Sequence, residues 1–264
     1  MRVGFLGAGH IARALAEGWR RPLPEPALRP GLAAHDPVAE RARAFAADFD
    51  AQGCASMTEL VATCDVVVLA MRPPDVPAAL VAVARVLGER PLLSLAAAVP
   101  LAELRAGLAP GARVARVMPN VAAAIGHGVF LLVPGSLSVQ QAGEVRDLFG
   151  LMGSVVDVPE SLFDPATAVA GCGPGFTALF IEALAEAGVA AGLEVAMARE
   201  LAIGGVAGSA ALVAREGDPV GVREAIATPG GMTAEGIDVL EDRGIRTALA
   251  AAVAAAVERA RRGR

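Results

Sequence analysis

Residues 2–19 constrain the fold of this chain more than any other stretch. Arg2–Leu6 is a short β-rich run, Gly7-Ala8-Gly9-His10-Ile11-Ala12 follows at once, and an amphipathic pattern continues through Trp19. The order is strand, glycine-rich turn, helix. Gly7 permits the tight turn, Gly9 lets a backbone approach a pyrophosphate, and Ala12 keeps helix and strand close in place of a third glycine. A plain βα turn can share this pattern. Its position directly after a strand and before a helix favours a dinucleotide-binding turn, with Gly7, Gly9, His10 and Ile11 as candidate cofactor contacts.

The alternation then repeats. Four prolines in residues 21–30 mark a connecting loop, and the strand Leu32–His35 ends at Asp36. An acidic residue at this place would bind the ribose 2′-hydroxyl of NAD and repel a 2′-phosphate. Its distance from the glycines exceeds the usual roughly 20 residues, and the proline-rich loop accounts for the excess. Asp36 can equally serve as the N-cap of the helix that follows. Arg41 and Arg43 lie just beyond, so a 2′-phosphate stays open. Helices are expected at 38–48, 57–62, 75–87, 100–108 and 138–150, and strands at 51–54, 65–71, 91–96, 112–117, 128–133 and 154–158. Continuous apolar strands between helices predict a parallel sheet covered on both faces. Ala70-Met71-Arg72-Pro73 closes one strand and Asn120 follows another, at the carboxyl ends where such sheets keep their ligands.

After Pro159 no strand is evident. Helices are expected at 161–170, 174–191, 195–215, 219–227, 233–242 and 245–261. The chain therefore reads as α/β: a Rossmann-type parallel-sheet domain over residues 1–158, then an all-helical domain over 159–264. Phe176–Arg215 is too apolar for helices with a wet face. A domain of this size cannot hide that surface alone, so a homodimer through the helical domain is expected, with Gly204, Gly205 and Gly208 permitting close contact.

Composition narrows the chemistry. The 264 residues are 55% hydrophobic, yet no apolar stretch of 18 lacks a charge or a turn former, which argues against a transmembrane span. The start runs straight into strand-like sequence without room for a signal peptide, and three scattered cysteines read as reduced thiols, so a cytoplasmic protein is expected. Net charge −5 and 3% aromatic content argue against nucleic acid. Three dispersed histidines have no metal-ligand spacing. There is no lysine, which removes Schiff-base chemistry and lysine-dependent dehydrogenase mechanisms.

Within the helical half, Thr228-Pro229-Gly230-Gly231-Met232-Thr233 precedes an apolar helical pattern. Thr233 is placed as an N-cap, with Glu235 complementing the dipole. Such a turn aims backbone N–H groups and a hydroxyl at one spot, which suits a carboxylate or phosphate. An ordinary capped helix would look the same.

Taken in order, these stretches resemble the pyrroline-5-carboxylate reductase family. Its members carry a GxGxxA turn (here Gly7–Ala12), an Ala-Val-Lys-Pro-like segment (Ala70–Pro73) and Arg-Val-Met-Pro-Asn-Thr-Pro (Arg116–Ala122). They also carry Ser-Gly-Ser-Gly-Pro-Ala-Tyr (Ala170–Phe176) and Ser-Pro-Gly-Gly-x-Thr (Thr228–Thr233). The resemblance implies hydride transfer from NADPH or NADH to the C=N carbon of a cyclic imino acid, giving proline. It implies that the N–H groups of the turn at Gly230, Gly231 and Met232 bind the substrate carboxylate, that Thr228 supports the turn or touches the carboxylate, that Thr233 holds the ring nitrogen as the catalytic group, and that Cys172 lines the substrate site. Gly7, Gly9, His10, Ile11, Asp36, Ala70, Met71, Arg72, Pro73 and Asn120 are the expected cofactor-binding residues. Asp36 leans towards NAD, although many members prefer NADPH. The family also forms rings of dimers.

Departures remain. Val121 and Ala122 replace Thr-Pro, and Ala170, Cys172 and Phe176 each lack an oxygen the family usually has. The alternatives are a paralogue acting on a related imine or keto acid, a hydroxy-acid dehydrogenase or F420-linked NADP reductase of the same build, and a non-catalytic nucleotide-binding homologue; the missing lysine speaks against the hydroxy-acid dehydrogenase.

Overall fold

The computed structural model describes residues 1–22 and 29–262, so the proline-rich connection read over 21–30 lies partly outside the described residues. The chain divides into two compact units. One comprises residues 1–172 together with the chain from Ala256 onward, and the other comprises residues 173–255.

The first unit is built on one sheet of eight strands: β1 (Arg2–Leu6), β2 (Gly31–His35), β3 (Gln52–Gly53), β4 (Val66–Leu69), β5 (Leu92–Ser94), β6 (Val114–Met118), β7 (Gly128–Val133) and β8 (Gly153–Asp157). Their order is β3-β2-β1-β4-β5-β6-β7-β8. The progression reverses between β1 and β4, so the topological switch point lies at their carboxyl ends.

Successive strand residues face opposite sides of the sheet, and both sides are apolar. Val3 and Phe5 of β1 and Val66 and Val68 of β4 join one core with α1 (His10–Arg20), α2 (Ala39–Phe49) and α6 (Val139–Gly150). Leu6, Val67 and Leu69 join the other with α3 (Met57–Thr63), α4 (Val76–Val83), α5 (Leu101–Ala106) and α7 (Phe163–Ala170). Trp19, fully buried, donates its indole N–H to Leu148 O at 2.9 Å and ties α1 to α6. Local signals place the helix starts: Ser56 caps α3, and Ser138 with Gln141 forms a reciprocal capping box on α6.

The sheet is not wholly parallel, as the alternation had suggested. β7 pairs antiparallel with β6, and β8 runs parallel to β7. Between β6 and β7 lies only a short 3₁₀ turn at Val121–Ile125. A parallel return needs a crossover of a dozen or more residues, so the chain must fold straight back.

The division read from sequence at 158/159 follows the change in secondary structure. The compact units part later because Phe163 of α7 belongs to the core beneath the sheet. There Arg116 of β6, with 0% exposure, bonds Glu160 Oε1 at 3.0 Å, donates to Ala97 O and stacks 3.8 Å over the Phe163 ring. Glu160 also accepts the Leu101 N–H at 2.8 Å.

The second unit is helical: α8 (Gly173–Ala190), α9 (Val195–Glu216), α10 (Pro219–Ile226), α11 (Met232–Asp242) and the first part of α12 (Ile245–Arg262). Residues 160–190 and α9 are long and apolar enough to cross a membrane by length and composition. Leu179, Phe180 and Leu184 of α8 and Leu201 and Ile203 of α9 are exposed. An open groove of about 680 Å³ runs between these two helices, lined by Ile181, Ala185, Val189, Val195 and Ile203 with Glu182 and Arg199.

Candidate active site

The glycine-rich turn sits at the switch point. Gly7 has φ +105°, and a Cβ there would lie 2.5 Å from Ala70 O, so both conformation and space demand glycine. Its N–H donates to His35 O at 2.8 Å, while Ala70 N–H donates to Leu6 O at 2.9 Å. The carboxyl ends of β2, β1 and β4 are thereby locked side by side. Gly9 is different: a Cβ added to it would meet nothing within 4 Å. The first bond of α1 runs from Arg13 N–H to Gly9 O, so the N–H groups of His10, Ile11 and Ala12 have no partner within the helix. An open approach beside free N–H groups at a helix start fits a pyrophosphate.

Asp36 is 8% exposed and its two oxygens are held apart by function. Oδ2 accepts Ala8 N–H at 3.0 Å, and Oδ1 accepts Val38 N–H at 2.9 Å. It is not the N-cap of α2; that helix begins at Ala39 after Val38, and the Pro37 turn lies between. The carboxylate instead braces the glycine-rich turn against the end of β2. It retains free lone pairs for a hydroxyl, since each oxygen accepts only one of these bonds. Sequence reading did not single out Ala8, whose role is carried by its backbone and leaves no side-chain signal.

Met71 is half-buried after β4, and Pro73 opens a 3₁₀ turn. Arg72 is exposed and lies 3.4 Å from Asp75. Gly7, Asp36 and Ala70 are thus drawn together at the carboxyl ends of β1, β2 and β4, and Arg72 follows Ala70 by two residues. Asn120 stands farther along the carboxyl edge, after β6, with 7% exposure. Its Oδ1 accepts Val129 N–H at 3.3 Å and its Nδ2 donates to Ala170 O at 3.1 Å. Cys172, half-buried, follows the end of α7, where Gly171 and Cys172 both donate their N–H groups to Thr167 O. Arg116 also escaped the sequence reading as a structural group. An arginine inside the apolar run Val114–Met118 was the signal, because a charge in a buried strand requires partners.

The turn at Thr228 belongs to the second unit. Gly231 N–H donates to Thr228 O at 2.9 Å, closing a four-residue turn with Pro229 second and Gly230 third at φ +73°. That is the type II arrangement, which calls for a positive φ at its third residue. A Cβ at Gly231 would lie 2.8 Å from Thr228 Oγ1, so this second glycine keeps the hydroxyl tucked against the turn. Thr233 does not cap the helix. Gly231 is the N-cap of α11, in extended conformation and with no side-chain cap. The first helical bond runs from Glu235 N–H to Gly231 O. The N–H groups of Met232, Thr233 and Ala234 therefore lack helical partners, and the exposed Thr233 hydroxyl stands beside them. Residues 228–234, which make this turn and helix start, carry no ionisable side chain.

Comparison with known proteins covers both units. Residues 160–263 match the family model for pyrroline-5-carboxylate reductase dimerisation, and residues 2–98 match that for coenzyme F420-dependent NADP oxidoreductases. A pyrroline-5-carboxylate reductase of Mycobacterium leprae is 36% identical, over 97% of this chain and 94% of its own length. The structure of the Streptococcus pyogenes 1-pyrroline-5-carboxylate reductase is 30% identical with TM-score 0.86, covering 99% of this chain and 98% of that one. A Plasmodium falciparum pyrroline carboxylate reductase solved with NADP bound is 28% identical with TM-score 0.87, over 100% and 98% of the two chains.

Proposed function

The chain belongs to the pyrroline-5-carboxylate reductase family, and on that premise we propose how its residues reduce 1-pyrroline-5-carboxylate to L-proline in proline synthesis. The reaction adds a hydride to the C=N carbon and leaves a proton on the nitrogen. The nicotinamide cofactor supplies the hydride when bound. Gly7 and Gly9 let the backbone of the first turn come close to the pyrophosphate, and the N–H groups of His10 and Ile11 face its charge. Ala70, Met71, Arg72 and Pro73 flank the crevice at the switch point.

The observation that carries the reading is the Thr228–Thr233 turn. Its N–H groups at Met232, Thr233 and Ala234 suit the substrate carboxylate, and the Thr233 hydroxyl suits the ring nitrogen. Thr228 supports the turn through Gly231, Gly230 supplies its left-handed bend, and Cys172 lines the substrate side. A protonated imine is already electrophilic, so positioning and charge placement suffice without a lysine, histidine or carboxylate in the turn.

Asp36 inclines the site to NADH. Pinned by two N–H groups, its carboxylate cannot swing away from a 2′-phosphate, and it keeps lone pairs for a 2′-hydroxyl. Residues 159–264 act as the substrate-binding and dimerisation domain, and the match of that segment to a dimerisation model supports a homodimer through it. Exposed apolar residues on α8 and α9 then meet a second copy rather than lipid. A ring of dimers and a cytoplasmic location complete the proposal.

The test is a spectrophotometric assay of purified protein with pyrroline-5-carboxylate, run with NADH and with NADPH. Consumption of reduced cofactor coupled to proline formation is expected. Cofactor binding without turnover would favour a non-catalytic homologue, and a clear NADPH preference would remove Asp36 as the discriminating group.

A further inference from the structure

We infer that Asn120 is a positioning residue, whose side chain fixes the Ala170–Cys172 segment at the carboxyl edge of the sheet and leaves cofactor binding to other groups. The last backbone pair of β6 and β7 is Met118 with Leu131. Pro119 follows and has no N–H to continue the ladder. Extending the register puts Asn120 opposite Val129. There Asn120 Oδ1 takes the Val129 N–H at 3.3 Å, standing in for a strand carbonyl.

The other end of the same amide turns to α7. Ala170 is the last residue of that helix, where carbonyls have no partner within the helix. Asn120 Nδ2 donates to Ala170 O at 3.1 Å and supplies one. At 7% exposure, water has little access to replace either bond. A single carboxamide thus ends the sheet and caps the helix. Cys172 lies two residues on, with its N–H held by Thr167 O at 3.2 Å. Its place is set by where α7 ends, and Asn120 sets that end. Only a carboxamide offers a donor and an acceptor at these two points; an aspartate of equal size would turn an oxygen on the Ala170 carbonyl.

The inference rests on the reading that residues 170–172 line the substrate side. It is tested on full-length protein with Asn120→Ala and Asn120→Asp, the second serving if the first does not fold. Three quantities are measured: cofactor Kd by fluorescence titration, kcat and KM for pyrroline-5-carboxylate, and the rate of maleimide labelling at Cys172. Labelling reports on one thiol because Cys54 and Cys64 are buried. Expected are a cofactor Kd within about twofold of the parent and a Cys172 labelling rate several-fold changed. The value of kcat/KM should fall about 10- to 100-fold, the scale of a small misplacement in the site. A cofactor Kd weakened about tenfold or more with Cys172 labelling unchanged would overturn the inference and make Asn120 a cofactor ligand. Parental values in all three would overturn it as well. If the parent protein does not turn over the imine, the proposed substrate fails, and labelling still decides the role of Asn120.

Discussion

Thr233 owes its exposed hydroxyl to a helix that begins one residue before it. With Gly231 as the N-cap, Thr233 sits inside the first turn and is free to meet a ligand. Thr233→Ala should lower kcat/KM for the imine by roughly 10- to 1000-fold, with cofactor affinity unchanged in a binding titration. Parental kinetics would take Thr233 out of the site. Asp36→Ser removes a fixed negative charge from the ribose end. The ratio of kcat/KM with NADPH to that with NADH should rise at least about tenfold. Gly7→Ala is harsher, because φ +105° and the Ala70 carbonyl both oppose a Cβ. Cofactor affinity and thermal stability should fall together, whereas a substitution acting only on a ligand contact would spare stability.

At the element scale, β6 and the short turn that leads into α7 are joined through Arg116 and Glu160. A guanidinium with no exposure needs its carboxylate, and that carboxylate also serves the first N–H of α5. Glu160→Ala should cost about 2–3 kcal/mol, read as a lower denaturant midpoint with Trp19 fluorescence as probe. An unchanged midpoint would mean that the pair contributes nothing net. The βα alternation was legible because the central strands are apolar runs, as in Val66–Leu69 and Gly128–Val133, and helices such as α1 carry an apolar face at the 3.6-residue period. The reversal at β7 was missed although its cause stood in the chain: no helix-length segment separates Met118 from Gly128. Counting elements suggested a parallel strand, and counting the connection would have corrected it. The cap at Thr233 was misread for another reason. A hydroxyl before a helix looks like a cap, but the backbone angles at Gly231 choose the boundary.

Across the whole molecule, exposed Leu179, Phe180, Leu201 and Ile203 on α8 and α9 would form the association surface of the proposed homodimer. Leu201→Asp should convert the dimer to monomer by sedimentation or size-exclusion chromatography and lower activity with it. A dimer of unchanged stability would move the interface elsewhere. Burial pushes the Cys54 and Cys64 thiols above their ordinary value of 9.0. The unfolded chain then loses these protons first. Their contribution to stability is complete below about pH 9 and is lost as pH rises through the folded values. Replacing both by alanine should flatten the alkaline decline in stability, measured as denaturant midpoint against pH.

The sequence by itself determined the α/β half, the glycine-rich turn after β1, the helical half and the stretch at Thr228. These depend on local propensity, period and turn chemistry, which neighbouring residues encode. Tertiary structure decided what each polar group does. Asp36 holds Ala8, Asn120 is spent between β7 and α7, and Arg116 lies on Phe163; the farthest of these partners are about 28 to 50 residues away. Such pairings arise only when the sheet brings distant ends together. Burial then makes each bond costly to leave unmade.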